Sequence, residues 1–294
     1  MIRNIAQRNW KQVVAVLALS AVAGLAPARG GLFEDLARIA VDRFEQPSAP
    51  RVSVPPASNS FSHCPQLFPE GRLIEVQTID AQWQPVALCS SAFAVLYSGR
   101  TKTPIVVVER MTRGSLQDSR GLARTNIFYA DSRLPRAERA ELADYRGSGF
   151  DKGHMSPAAD QPNQSAMEES FSLSNMVPQD PKNNREIWSK VEADTRHYVQ
   201  RARGDVFVFT GALFHGTQHV IGLGRVWVPS HLFKLVYDPT TSRAWAHVLP
   251  NSADARIGPP MSNQEFVAFS GMDLLGADVS ARLQAAHTQF QKRN

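Results

Sequence analysis

Short apolar runs set the rhythm of this chain. Residues 73–79 alternate apolar and polar side chains, the period of a half-buried strand. Residues 92–97 and 105–108 are almost wholly apolar, as in strands covered on both faces. A second group of such runs follows at residues 206–210, 226–229, 232–237 and 244–249. Between the two groups the period changes. Ile187, Trp188, Val191, Thr195, Tyr198 and Val199 recur at helical spacing, which predicts one long helix from about residue 184 to residue 202. Asn184 is a favoured N-cap for it, and Gly204 is placed to stop it. Strands, a helix, then strands again, without regular alternation, predict an α+β fold rather than a doubly wound one.

Upstream, Leu32, Phe33, Leu36, Ile39, Ala40 and Phe44 have the spacing of a short helix within residues 31–45. Residues 46–60 carry Pro47, Pro50, Pro55 and Pro56 among serines and read as a linker. In the first 28 residues Arg3, Arg8 and Lys11 precede an apolar run at residues 13–25, and Ala26 and Ala28 stand at −3 and −1 of a cut after Ala28. This is the layout of a secretory signal peptide. An uncleaved anchor is the other reading, but about thirteen apolar residues fall short of the ~20 that span a bilayer. The expected organisation is a signal peptide at 1–28, a short helix and Pro/Ser-rich linker at 29–60, and one domain at 61–294. The expected setting is secreted or periplasmic, with no stable membrane insertion after cleavage.

Composition adds little to this picture. Hydrophobic residues at 43% and charged residues at 20% exclude a mostly disordered chain. The formal charge of +5 draws on three basic residues of the leader; without them 29 basic residues face 27 acidic ones. A net charge of +2 is too small to argue for a polyanionic partner, so only a local basic groove could do so. Cys64 and Cys89 are the only cysteines, and in an exported chain an even number suggests a disulfide, worth about 3 kcal/mol. Two buried free thiols are the alternative, and neither cysteine has the CxxC spacing of a zinc site.

The candidate chemistry lies in about forty residues. Asp151-Lys152-Gly153-His154 is followed by Ser174-Asn175-Met176-Val177-Pro178-Gln179, and then by Asn184, Trp188 and Glu192. A neutral imidazole, a lysine and hard oxygen ligands are what metal-assisted attack of water on a phosphodiester needs. His154 is one of eight histidines and alone would carry no argument. Asn184 and Glu192 are eight residues apart, about 12 Å of rise and roughly 80° of rotation on an α-helix. They cannot easily clasp one ion together, so Asn184 is the better direct ligand and Glu192 would reach the ion through water. Such oxygens suit Mg²⁺. Taken singly, Asn184 could be a plain N-cap, Glu192 a solvated helix position, and Trp188 a core anchor.

These residues resemble the DNA/RNA non-specific endonuclease family of the ββα-metal, or His-Me finger, superfamily. The family pattern of Asp-Arg-Gly-His, then Ser-Asn-x-x-Pro-Gln, then Asn, Trp and Glu at fixed intervals falls on Asn175, Asn184, Trp188 and Glu192 without an insertion. Arg124, in Arg124-Thr125-Asn126-Ile127-Phe128-Tyr129-Ala130-Asp131, is similar to a phosphate-contacting arginine of the family, and the likeness runs from about residue 73 to residue 251. The resemblance implies a central antiparallel sheet flanked by helices, with a ββα-metal finger as active site. It implies that His154 is the general base, Asn184 the direct metal ligand, Glu192 a carboxylate acting through water and Asn175 a polar residue completing the site. It further implies Mg²⁺ as cofactor with Mn²⁺ as a substitute, DNA and RNA as substrates, products with 5′-phosphates, and a homodimer. An inhibitor protein would fit such an enzyme, but the sequence identifies none. Lys152 departs from the pattern, where many relatives carry arginine: it supplies a charge without the bidentate fork. A non-catalytic nucleic-acid or envelope-binding module on the same fold is the rival reading, and an enzyme for another phosphodiester a third.

Overall fold

The structure, a computed structural model, describes residues 54–291, with side chains to residue 285. The expected signal peptide at 1–28 and helix within 31–45 lie outside the described residues, as does most of the linker. All described residues fall within one unit, Gln46–Asn294.

Three strands open the fold: β1 (Pro85–Cys89), β2 (Phe93–Ser98) and β3 (Thr103–Met111). The short helices α1 (Arg113–Asp118) and α2 (Leu142–Tyr145) follow. Next come strand β4 (Asp151–His154), helix α3 (Gln164–Ser170), strand β5 (Met176–Gln179) and helix α4 (Ser189–Arg201). The later strands are β6 (Val206–Leu213), β7 (His219–Ile221), β8 (Val226–Val228), β9 (His231–Asp238), β10 (Arg243–Pro250) and β11 (Met261–Ser262). Helices α5 (Asn263–Ser270) and α6 (Ala277–Gln291) close the chain. Seven strands form one antiparallel sheet in the order β1-β2-β3-β6-β9-β10-β11, while β4 pairs with β5 and β7 with β8. This is the expected α+β architecture.

Both faces of the large sheet are covered, which is why its strands read as continuous apolar runs. One face presents Ala94, Leu96, Val106, Val108, Phe209, Phe233 and Leu235 to Phe61, Phe68, Phe266 and Val279. The other presents Phe93, Val95, Val107, Ala212 and Leu232 to Met155, Val177, Trp188 and Val191, so the β4–β5 unit and the helix behind it dock there. Along β3, β6 and β9 this second face also carries Glu109, Thr210 and Lys234, all buried, by the two-residue period of a strand.

The strand expected at residues 73–79 does not form. A single 3₁₀ turn, Val76–Thr78, occupies the stretch. Leu73, Ile74, Val76 and Ile79 all pack on the same core cluster, so the apolar residues are used by one face of a turning chain rather than by a ladder. At the outer edge of β1, Ser58 exchanges both backbone hydrogen bonds with Ala87. Cys64 and Cys89 form a disulfide, with Cα atoms 5.9 Å apart, that ties the segment before the sheet to the end of β1.

Candidate active site

His154 is the last residue of β4, paired with Met176 of β5. The pairing runs from Asp151↔Gln179 to His154↔Met176, and the chain then enters a helix, giving the two strands and helix of a ββα finger. Gly153 is required within it. A Cβ there would collide with the side chain of Gln179, which lies across the strand pair and donates from Nε2 to Asn183 Oδ1 at 2.8 Å. Asn183 in turn donates to the carbonyl of Pro250 at 2.9 Å, anchoring the finger to β10.

The helix starts earlier than expected, and Asn184 is not its cap. Pro181 is the first helical residue, and Asp180 Oδ1 accepts from Asn183 N at 2.9 Å in the manner of an N-cap. Residues Asn183–Trp188 then form a π-helical turn before α4. This turn changes the geometry that the two ligand candidates were expected to have. One extra residue in a wide turn makes the eight-residue interval behave like seven on an α-helix, leaving roughly 20° between Asn184 and Glu192 instead of 80°. Both line the same cavity. Trp188, between them, is fully buried and belongs to the core.

That cavity, of about 390 Å³, gathers Arg124, Lys152, His154, Asn184 and Glu192, together with Asn126, Phe128, Asp151 and Arg196. His154 is packed edge-on against Phe171, with centroids 5.0 Å apart, and against Phe128 at 5.7 Å. Its Nε2 is buried with no hydrogen-bond partner among the described residues. Burial, reinforced by the charge of Arg124, pushes the imidazole pKa down to about 3. The ring is therefore neutral at physiological pH. Lys152 Nζ lies 4.8 Å from the Phe128 ring and 5.8 Å from that of Tyr145, and its pKa is lowered by burial against the opposing pull of Asp151. Arg124 Nε donates to Asn126 Oδ1 at 2.7 Å, and its guanidinium sits 5.0 Å from the Phe171 ring.

Asn184 Nδ2 donates to Asp151 Oδ2 at 2.9 Å, while Arg185 binds both oxygens of the same carboxylate. Burial works against ionisation of Asp151, but these bonds outweigh it and hold the carboxyl below its ordinary pKa. With its nitrogen engaged, the amide of Asn184 has its oxygen to offer a cation. Glu192 is largely buried, and burial raises its pKa to about 7 against the pull of Lys234, with Asp160 pushing it higher still. A divalent cation beside it would hold it ionised. Among the described residues no group of three or more His, Cys, Asp or Glu is placed to hold a metal, so an ion here would rest on amide, carboxylate and water oxygens. That donor set fits a hard cation such as Mg²⁺.

The structure does not bring Asn175 into the cavity. Its side chain is fully buried, accepting from Ser156 N at 2.9 Å and donating to the carbonyls of Ser156 at 2.9 Å and Ser170 at 2.8 Å. It fixes the backbone that leaves His154 instead of completing the site. The reason is geometric: β5 starts at the next residue, and its pairing with β4 turns Asn175 under the strand rather than over it.

Beneath the cavity lies a cluster that sequence reasoning missed. Arg196 Nη1 donates to the buried Asp160 at 2.9 Å, and Lys234 Nζ donates to Thr210 Oγ1 at 2.7 Å. Burial raises the pKa of Asp160, opposed by Arg196 and Lys234. Burial, then Asp160, raises Glu109 to about 8. Two signals were available. Arg196 is one helical turn from Glu192 on the same face, and Lys234 is a lone charge inside the apolar run of β9.

The sequence pattern of the DNA/RNA non-specific endonuclease family matches residues 73–281. The chain is 36% identical over 177 residues to Nuclease C1 of Cunninghamella echinulata var. echinulata, covering 55% of this chain and 70% of that protein. It is 36% identical over 175 residues to the mitochondrial Nuclease 1 of Schizosaccharomyces pombe, covering 53% and 54%. Against human mitochondrial Endonuclease G the identity is 36% over 156 residues, covering 49% and 52%. The chain thus spans about half the length of these two mitochondrial relatives. A chain of the crystallised EndoG/EndoGI complex superposes with a TM-score of 0.59 at 27% identity, covering 64% of this chain and 85% of that one. The two mitochondrial relatives correct the expected secreted or periplasmic setting, because they point to mitochondria. Among the described residues no helix is long and apolar enough to cross a membrane.

Proposed function

The chain belongs to the DNA/RNA non-specific endonuclease family, and on that premise we propose that it hydrolyses phosphodiester bonds of DNA and RNA with Mg²⁺, or Mn²⁺ in its place, leaving 5′-phosphates. The observation that carries this reading is the convergence of Arg124, Lys152, His154, Asn184 and Glu192 on one cavity.

Lys152 and Arg124 draw a phosphate into the cavity and orient it. Lys152 is half-buried and kept from full hydration, so it acts on the phosphate more strongly than a surface cation would, while Arg124 is exposed at the rim. His154, held between two rings and neutral, takes a proton from the attacking water. An anionic phosphate beside it raises the proton affinity of the imidazole from its low resting value. Asn184 would hold the ion directly through its amide oxygen, and Glu192 would hold it through water. The bound cation supplies stabilisation of the charge that develops on the phosphate and the leaving oxygen. Asn175 positions His154 without touching substrate. Contacts that go to the backbone carry no base information, which accounts for a lack of sequence preference.

The test is digestion of supercoiled plasmid and of a structured RNA with Mg²⁺, with EDTA, and with His154→Ala. Metal-dependent loss of both substrates is expected, with a rate lower by roughly 10² to 10⁴ in the variant. A folded wild-type protein that cleaves neither substrate across several divalent metals would favour a binding module on the same fold.

A further inference from the structure

The basic surface does not end at the cavity of His154. Helix α1 and the last turn of α4 wall a second cleft of about 510 Å³, lined by Arg113, Gln117, Arg120, Gln200 and Arg201. No carboxylate lines it. The three guanidiniums are exposed, and among the described residues none forms an ion pair. The neighbouring Arg110, by contrast, is neutralised by Asp205 at 2.8 Å. Arg113 donates weakly to the carbonyl of Ala202 at 3.5 Å. Three arginines held together repel one another, and among the described residues no carboxylate pairs with them. Guanidinium forks flanked by amide donors match the oxygens of phosphate.

Two chain paths join this cleft to the site. Arg120 lies four residues before Arg124, and Gln200 lies four after Arg196, about 6 Å further along α4. That distance is on the order of two base steps along one strand of a duplex. We propose that the cleft is a second phosphate subsite, gripping the sugar-phosphate backbone of the substrate strand beyond the bond that is cut. The assignment deepens the nuclease reading and rests on it, since it requires a polymeric phosphodiester in the neighbouring cavity. It makes the enzyme prefer long strands over small phosphodiesters without conferring base preference.

The experiment uses Arg113→Gln/Arg120→Gln/Arg201→Gln, and Arg120→Gln/Arg201→Gln, which leaves the contact of Arg113 with Ala202 in place. In a His154→Ala background with EDTA, binding of fluorescein-labelled 30-base-pair DNA and RNA duplexes is followed between 50 and 200 mM salt. The slope of log affinity against log salt should become shallower by about 3 in the triple variant and about 2 in the double. In the active background, KM for the DNA duplex should rise roughly tenfold, with kcat and hydrolysis of bis(p-nitrophenyl) phosphate unchanged. An unchanged slope and affinity on both duplexes, in variants with wild-type circular dichroism, would overturn the subsite. Equal loss on the small ester would overturn it too, since the arginines would then be acting through the catalytic cavity. A shallower slope in a protein that cleaves neither substrate would instead remove the nuclease reading and leave a backbone-binding cleft.

Discussion

The side chain of Asn184 is tied to Asp151 by a 2.9 Å hydrogen bond from its amide nitrogen. The bond links the π turn of the helix to the first residue of the strand that ends in His154, and it decides which end of the amide is left for a cation. Replacing Asp151 by alanine frees the amide to rotate. The Mg²⁺ concentration for half-maximal cleavage should rise at least about tenfold, as for other groups that orient a metal ligand. A Mg²⁺ titration of plasmid cleavage checks this, and an unchanged midpoint would show that Asp151 does not orient the ligand.

Asn175 predicts a coupled loss of stability and rate. Its alanine variant leaves Ser156 N and the carbonyls of Ser156 and Ser170 buried without their side-chain partner. At about 1–3 kcal/mol for each group left unsatisfied, unfolding free energy should fall by roughly 3 kcal/mol or more. Urea melts measure that fall. Cleavage at a temperature where the variant stays folded should still be reduced, because the backbone leaving His154 has lost its clamp.

The buried Glu109 predicts an unusual pH response. Burial raises its pKa in the folded protein to about 8, above the ordinary carboxylate value it regains on unfolding. The folded state therefore keeps a proton that the unfolded chain gives up. The contribution to stability is full below the unfolded value and is lost as pH rises to about 8, with a limiting slope of about 1.4 kcal/mol per pH unit. Glu109→Gln removes the titration and can still accept from Ser156. Melting temperatures from pH 5 to pH 9 should decline less steeply in the variant, and parallel curves would show that Glu109 is already ionised.

The disulfide predicts a loss of stability separable from catalysis. Cys64 and Cys89 are 25 residues apart in sequence, and opening a loop of that size costs about 3 kcal/mol in the chain-entropy model. Cys64→Ser/Cys89→Ser should melt several degrees lower. At 25 °C it should cleave at the wild-type rate, since neither cysteine lines the cavity. A rate that falls in proportion to stability would place the bridge in the support of the site.

By itself the sequence determined the α+β class, the strands that became β2, β3, β6, β8, β9 and β10, and the helix behind the site. Local period and residue type control these, and the large sheet, buried on both faces, left little freedom. It also placed His154, Lys152, Asn184 and Glu192 as candidates, because their types and spacing match one chemistry, and Arg124 through its resemblance to the family. Tertiary structure decided the rest. The alternation at residues 73–79 became a turn, since a strand needs a partner edge that local sequence does not reveal. The π turn brought Asn184 and Glu192 to one face, and a wide turn of this kind leaves no mark in the spacing of residues along the chain. Asn175 moved under the strand through the register of β5 with β4. Glu109, Asp160 and Lys234 met beneath the cavity from separate elements, and no spacing along a chain can express an encounter made only when the sheet closes.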